Sequence, residues 1–285
     1  MNSLCNLFKV SIFPHRLKKL GVKCFYLVIE GVTSSKTALT LLTRPCMRVV
    51  TYHRIAKVKK DPEHLCVAPE VFEQHLNFYK RHFEVISAQD MYRRICARKV
   101  RGRELIITLD DGYKDNLVNG LALLEKYQCP ASIFISTGFI GSTSDFFWDK
   151  GYLMGDRAAF LSEDDIKLLG RHPLIEIGAH TVNHARMSDL SEQMKLVEVS
   201  ESMKQLQSLI ERQVTGFAYP FGRTLDFDKK SIASVRACGM RYAFSNMPGL
   251  VTESSNIFSL PRINVREWSI SRLAKELRLG NNASK

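Results

Sequence analysis

From residue 47 onward the chain alternates short apolar runs with longer stretches in which apolar residues recur every three or four positions. The runs Met47–His53, Phe83–Ser87, Leu105–Leu109, Ser132–Ser136, Leu174–Ala179, Val214–Tyr219, Tyr242–Ser245 and Phe258–Val265 predict strands. Several are apolar throughout instead of alternating, the pattern of a parallel sheet covered by helices. Helical patterns lie between them. Pro69-Glu70 opens one that puts Phe72, Leu76 and Tyr79 on a single face, and Lys114–Tyr127 carries Leu117, Leu121 and Leu124 at helical spacing. The longest, Ser191–Arg212, is expected to turn Met194, Val197, Leu206, Leu209 and Ile210 inward.

Such β-α alternation, without repeats or a low-complexity linker, predicts one parallel α/β domain over residues 47–270, and the number of strands favours a barrel over an open sheet. In α/β barrels chemistry gathers at the C-terminal ends of strands. Three stretches fall at such ends: Asp110-Asp111-Gly112, His180-Thr181-Val182-Asn183-His184 and Tyr219-Pro220-Phe221-Gly222.

Adjacent residues leaving a strand point in different directions, so one of Asp110 and Asp111 can bind a cation while the other stays free. The plain alternative is a solvated Asp-Gly turn capping the helix that follows. His180 and His184 are spaced so that both imidazoles can converge on one ion. No glutamate stands between them, which sets them apart from the H-E-x-x-H helix of zinc proteases. One carboxylate and two imidazoles leave an open position, the composition of a hydrolytic metal site more than a structural one. The Tyr219–Gly222 stretch reads either as a turn that ends a strand or as a rigid loop whose backbone N–H groups face a developing oxyanion.

Charge adds a second region. The formal net charge is +12, and residues 1–48 hold eight of the basic side chains against Glu30 alone. This basic N-terminal extension, residues 1–46, has two readings: a helical packing extension, or an element lying against an anionic surface such as a phospholipid leaflet. No nucleic-acid recognition motif accompanies it, so no nucleic-acid partner is expected. The seven cysteines are scattered without a C-x-x-C pair, as free thiols in a reducing compartment would be. The apolar run Cys24–Ile29 is short, ends at Glu30 and lacks a cleavage site, and no stretch approaches the length of a spanning helix. A cytoplasmic location, peripheral at the inner membrane face, is therefore expected, and residues 271–285 read as a C-terminal tail.

Taken in order, the three stretches resemble the polysaccharide deacetylase family, whose shared region is the NodB homology domain. Thr108-Leu109-Asp110-Asp111-Gly112 stands for the family's T-F-D-D-G with Leu in the Phe place, and His180 to His184 match H-[ST]-x-x-H in full. Phe217-Ala218-Tyr219-Pro220-Phe221-Gly222 is similar to the third motif, although the upstream position that often carries Arg is apolar. Tyr52-His53-Arg54-Ile55 and Ser136-Thr137-Gly138-Phe139-Ile140-Gly141 look like the poly-N-acetylglucosamine deacetylase branch.

The resemblance implies a distorted (β/α)7 TIM-like barrel and metal-dependent removal of N-acetyl or O-acetyl groups from a sugar or glycan. Carried over by position, Asp111, His180 and His184 hold a divalent metal, with zinc the expected ion, and Asp110 is the general base. The backbone of Tyr219, Pro220 and Phe221 faces the oxyanion. Many members place the general acid on a late histidine, but none follows His184 here; the branch resembled nominates His53. Trp148 offers either a face for a sugar ring or a packing aromatic, and Arg262 either orients Asp110 or ends a strand at the surface. Two other classes stay open: a sugar-binding scaffold that has lost its acid, and an amidohydrolase of a non-sugar amide.

Overall fold

Among the described residues, seven parallel strands form the main path of the sheet: β1 (Arg48–Tyr52), β5 (Glu104–Leu109), β6 (Ala131–Ile135), β7 (Ile175–Ala179), β8 (Gly216–Ala218), β9 (Tyr242–Phe244) and β10 (Ile263–Asn264). They lie in the order β10-β1-β5-β6-β7-β8-β9. The two ends of this curled sheet are joined by the segment leading into β10. Leu260 bridges Phe244 in parallel, Leu260 N–H donates to Ala243 O, and Ile263 pairs with Val50. The result is the distorted seven-stranded barrel expected. A further short strand, β4 (Glu84–Val85), pairs with the start of β5, while β2 (Arg54–Ile55) and β3 (Cys66–Val67) form a separate pair beyond β1. The computed structural model describes residues 45–142, 146–152, 156–157 and 159–279. The basic extension thus lies outside the described residues except for Pro45 and Cys46, as does the end of the tail. Among the described residues no helix is long and apolar enough to cross a membrane.

The period of two along each strand sorts its residues into two cores. Val49, Ile106, Phe134, Ala218, Tyr242 and Phe244 form one cluster, inside the barrel. Their neighbours Val50, Ile107, Ile133, Phe217 and Ala243 join the other, between sheet and helices. Ala88, Met91 and Ile95 of the helix Ala88–Cys96 belong to the inner cluster, so this helix plugs the N-terminal end of the barrel. Two glycines make room for the interior rings. A Cβ at Gly178 would sit 2.3 Å from the Phe134 ring, and one at Gly216 would sit 2.7 Å from that of Tyr242.

Outside the sheet, α1 (Pro69–His82) buries Phe72, Leu76 and Tyr79 as its spacing predicts. The Lys114–Tyr127 pattern becomes a wide turn, Asn116–Gly120, continued by α3 (Leu121–Lys126), α2 being the plug helix Ala88–Cys96. α4 (Glu163–Arg171) precedes β7. The longest helix, α5 (Glu192–Ile210), departs from expectation: Met194 and Val197 are 44% and 36% exposed, and Lys195, Glu198, Val199 and Ser202 are buried with Leu206. The reason is polar. Lys195 Nζ donates to Leu190 O at 2.9 Å and pairs with Asp228, and Glu198 receives donors from the loop after β7. α6 (Lys229–Ala237) follows β8. The stretch read as a tail begins instead as α7 (Ile270–Leu279), whose Leu273 and Leu277 are buried in the outer core.

Candidate active site

At the C-terminal end of β5 the chain turns sharply. Asp110 N–H still donates to Tyr52 O as if the strand continued. Asp111 then adopts φ +77° and Gly112 φ +80°, left-handed backbone that costs a non-glycine residue on the order of 1–3 kcal/mol. Thr181 (φ +64°), His184 (φ +51°) and Phe221 (φ +60°) share that conformation at the ends of β7 and β8. Left-handed non-glycine residues thus occur at the ends of three strands, β5, β7 and β8.

Asp111, His180 and His184 come together. One ligand atom from each lies within 4.8 Å of the others, and all three residues are buried. Asp111 Oδ1 is 3.4 Å from His180 Nε2 and 3.3 Å from His184 Nε2. His180 is locked in one tautomer. Its Nδ1 lies 2.7 Å from Ala218 O, which only accepts, so Nδ1 carries the proton and Nε2 presents a lone pair. Burial works to raise the Asp111 pKa, but its interactions with His180 and His184 outweigh it and hold the carboxyl far below its usual range. Burial keeps His184 below the ordinary imidazole range, with Asp111 opposing. An ionised carboxylate, an imidazole fixed as an Nε2 ligand and a second imidazole kept neutral fit a divalent cation.

Asp110 stays out of this cluster and is clasped from inside the barrel. Arg262 donates to its two oxygens at 2.8 and 2.6 Å, and both side chains are buried. The same guanidinium reaches Ser245 O, Thr108 Oγ1 and Asn246 Oδ1, so four partners fix its fork. Burial alone would raise the Asp110 pKa; the Arg262 guanidinium reverses the sign and leaves the carboxyl below its usual range. His53, half-buried, directly follows β1, beside Tyr52, whose carbonyl accepts from Asp110 N–H.

The loop after β8 treats its three backbone positions differently. Tyr219 N–H is spent on Phe244 O at 3.0 Å, and its hydroxyl, buried, donates to Phe258 O. Pro220 has no N–H. The Phe221 N–H has no acceptor among the described residues, and the Phe221 ring lies 4.8 Å from that of His184. Trp148 forms the facing wall: its indole packs at 4.9 Å on the His184 ring and stacks on Phe146. Trp148 Nε1 donates to Tyr113 OH, which in turn donates to the buried Asp149 carboxylate at 3.0 Å.

The residues that the sequence reading passed over are those that hold the others. Thr108, Ser245 and Asn246 fix Arg262, and Glu198 holds the turn between the two histidines. In sequence Glu198 is one more acid on a helix; nothing around it marks a long-range partner.

Residues 97–243 match the family model for polysaccharide deacetylase, just over half of the chain. The chain belongs to the polysaccharide deacetylase family. It is thereby a hydrolase of the class acting on carbon–nitrogen bonds other than peptide bonds, in a family whose members depend on a metal. Among curated relatives, the poly-beta-1,6-N-acetyl-D-glucosamine N-deacetylase of Staphylococcus aureus (strain MSSA476) is 24% identical over 249 residues, covering 79% of this chain and 81% of that one. Two solved structures share the polysaccharide deacetylase fold. The Streptococcus pyogenes deacetylase PplD, in complex with acetate, superposes with a TM-score of 0.69 at 21% identity over 82% of this chain and 98% of that one. IcaB from Ammonifex degensii does so at 0.69 and 17% identity, over 83% and 97%. His53 and Arg262 both lie outside the span that the family model matches.

Proposed function

We propose that this polysaccharide deacetylase removes N-acetyl groups from an amino sugar within a glycan, using a divalent metal, Asp110 as general base and His53 as general acid. The observation that carries the reading is the pair of neighbouring aspartates in opposite settings: Asp111 facing two imidazoles, Asp110 free of them and held ionised by Arg262. A binding module has no need of the second. The Staphylococcus aureus relative, an N-deacetylase of poly-β-1,6-N-acetyl-D-glucosamine, supports the substrate class.

Asp111, His180 and His184 would hold the cation, and two nitrogens with one carboxylate suit zinc. Bound there, a divalent ion supplies Lewis-acid polarisation of the acetyl group and acidifies water. The chain's own residues do the rest. Asp110 accepts a proton from the water whose oxygen bonds to the acetyl carbon; Arg262 keeps it ionised and fixes its orientation for that role. As charge grows on the acetyl oxygen, the Phe221 amide is the donor left in the β8 loop to receive it. When the C–N bond breaks, His53 gives its proton to the departing nitrogen, and acetate and a free amine result. Trp148, edge-on to His184, offers a face to the sugar ring.

The test is acetate release from N-acetylated oligosaccharides by protein reconstituted with zinc, beside Asp110→Asn and His53→Ala. Release that requires added metal and falls at least about 10²-fold in each variant is expected. Undiminished release in Asp110→Asn would remove the general base from this scheme.

A further inference from the structure

The turn that carries both metal-facing histidines is held by its backbone. Val182 and Asn183 N–H both donate to Glu198 Oε2, at 2.8 and 2.9 Å, and Asn183 Nδ2 donates to Oε1 at 2.6 Å. Glu198 itself is buried on α5. From the opposite side, Thr137 and Gly138 N–H donate to the carbonyls of Thr181 and Val182. Gly138 is tight against the turn: a Cβ there would lie 2.8 Å from Val182 O.

The two imidazoles are oriented differently. His180 has its Nδ1 bond to Ala218 O. His184 Nδ1 is buried and has no hydrogen-bond partner among the described residues. The rings of Phe146, Trp148 and Phe221 lie at 5.1, 4.9 and 4.8 Å from the His184 ring, restricting it without offering an acceptor. A metal-facing histidine is usually aimed by a hydrogen bond to its other nitrogen. For His184 that duty passes to the main chain, which is left-handed at this residue.

We propose that Glu198 is a positioning residue for His184. By clamping the amides of Val182 and Asn183 it holds the turn that aims His184 Nε2 at Asp111 and the shared cation. The inference rests on the metal-site reading above. All three groups that meet Glu198 donate, so the place demands acceptors at both oxygens. A glutamine supplies one acceptor oxygen and turns an NH2 toward donors; an aspartate keeps both acceptors on a shorter stem.

The experiment is the apparent zinc affinity of the full chain, by competition with a chromogenic chelator, together with the melting temperature of the metal-free protein. The variants are Glu198→Gln, Glu198→Asp, Asn183→Ala and Val199→Ala. Glu198→Gln is expected to weaken zinc binding by about 10- to 100-fold, and Glu198→Asp and Asn183→Ala by less. Val199→Ala, a core truncation on the same helix, is expected to lower the melting temperature and leave affinity unchanged. Zinc bound as tightly by Glu198→Gln as by the wild type overturns the proposal. So does an equal loss in Val199→Ala, which would make the effect general loosening of α5. Should Glu198→Gln not fold, wild-type affinity in both Glu198→Asp and Asn183→Ala overturns it equally. A wild-type chain that binds no zinc sinks the metal-site reading and this inference together, and is distinguishable because it needs no substitution.

Discussion

Arg262 grips both oxygens of Asp110 in a bidentate pair with neither side chain exposed to solvent. A buried ion pair is weak evidence of net stability, because desolvating two charges offsets much of their attraction. Breaking it is a different matter. Arg262→Met strands an ionisable carboxylate in the barrel and is expected to cost about 3–5 kcal/mol. Adding Asp110→Asn should restore much of that loss without restoring acetate release. Urea unfolding of the two singles and the double variant measures the coupling. Additive losses would mean that the pair does not act as a unit.

Arg262→Lys is not a conservative change at a forked contact. An ammonium cannot span two carboxylate oxygens while also reaching Ser245 O and Asn246 Oδ1. The fold should survive with a modest change in melting temperature, while kcat falls by about 10-fold or more and KM stays within about 2-fold. A rise in KM alone would assign Arg262 to substrate binding instead of to holding Asp110.

Asp149 offers a pH signature separate from that of Asp110. Burial pushes its carboxyl up to about 6, with the Tyr113 hydroxyl opposing. The unfolded chain ionises this acid near 3.8, so between the two values the native state holds a proton that the unfolded state has lost. Stability therefore falls as pH rises from about 4 to about 6 and is level above, by at most about 2 kcal/mol after solvent screening. In chelator-treated protein, Asp149→Asn should flatten this slope. An unchanged slope in chemical denaturation from pH 4 to 7 would place its origin elsewhere.

The Trp148 indole closes one side of the site against His184 and Phe221. Trp148→Ala is expected to raise KM for N-acetylated oligosaccharides by roughly 2- to 10-fold, the worth of one aromatic contact. Trp148→Phe, which keeps a face but loses the bond to Tyr113, should fall between. Equal KM values in all three proteins would leave Trp148 a packing residue only.

Gly178 and Gly216 test the packing of the barrel interior. A methyl group at Gly178 has the Phe134 ring 2.3 Å away and Gly216 O at 3.2 Å, so Gly178→Ala must displace a ring in a filled core. A loss of about 1–3 kcal/mol or more is expected in urea unfolding. Gly239→Ala, with nothing within 4 Å but φ +84°, should show the smaller cost of backbone strain alone.

Much of this was legible along the chain. Apolar runs of strand length separated by helical spacing specify a parallel sheet with covered faces, and period two sorted residues such as Ile106 and Ile107 into separate cores. The pairing of Asp110 with Asp111 and of His180 with His184 is local, so their shared chemistry could be read before any fold was known. What periodicity could not supply was the worth of a polar residue on a helix. By spacing, Met194 and Val197 belonged inside; Lys195 and Glu198 are buried in their stead because loop amides and carbonyls at the helix face satisfy them. Spacing likewise left Arg262 between a surface end and an orienting role, and only closure of the barrel brings it within 2.8 Å of a carboxylate 152 positions away. The backbone of Tyr219 and Phe221 looked equivalent until sheet pairing spent one amide and left the other. Sequence by itself determined the family and which groups are candidates for its chemistry, since side-chain type and local spacing are properties of the chain. Tertiary structure decided which donors and acceptors remain unspent and what holds each candidate group, since hydrogen-bond satisfaction is settled only when distant segments meet.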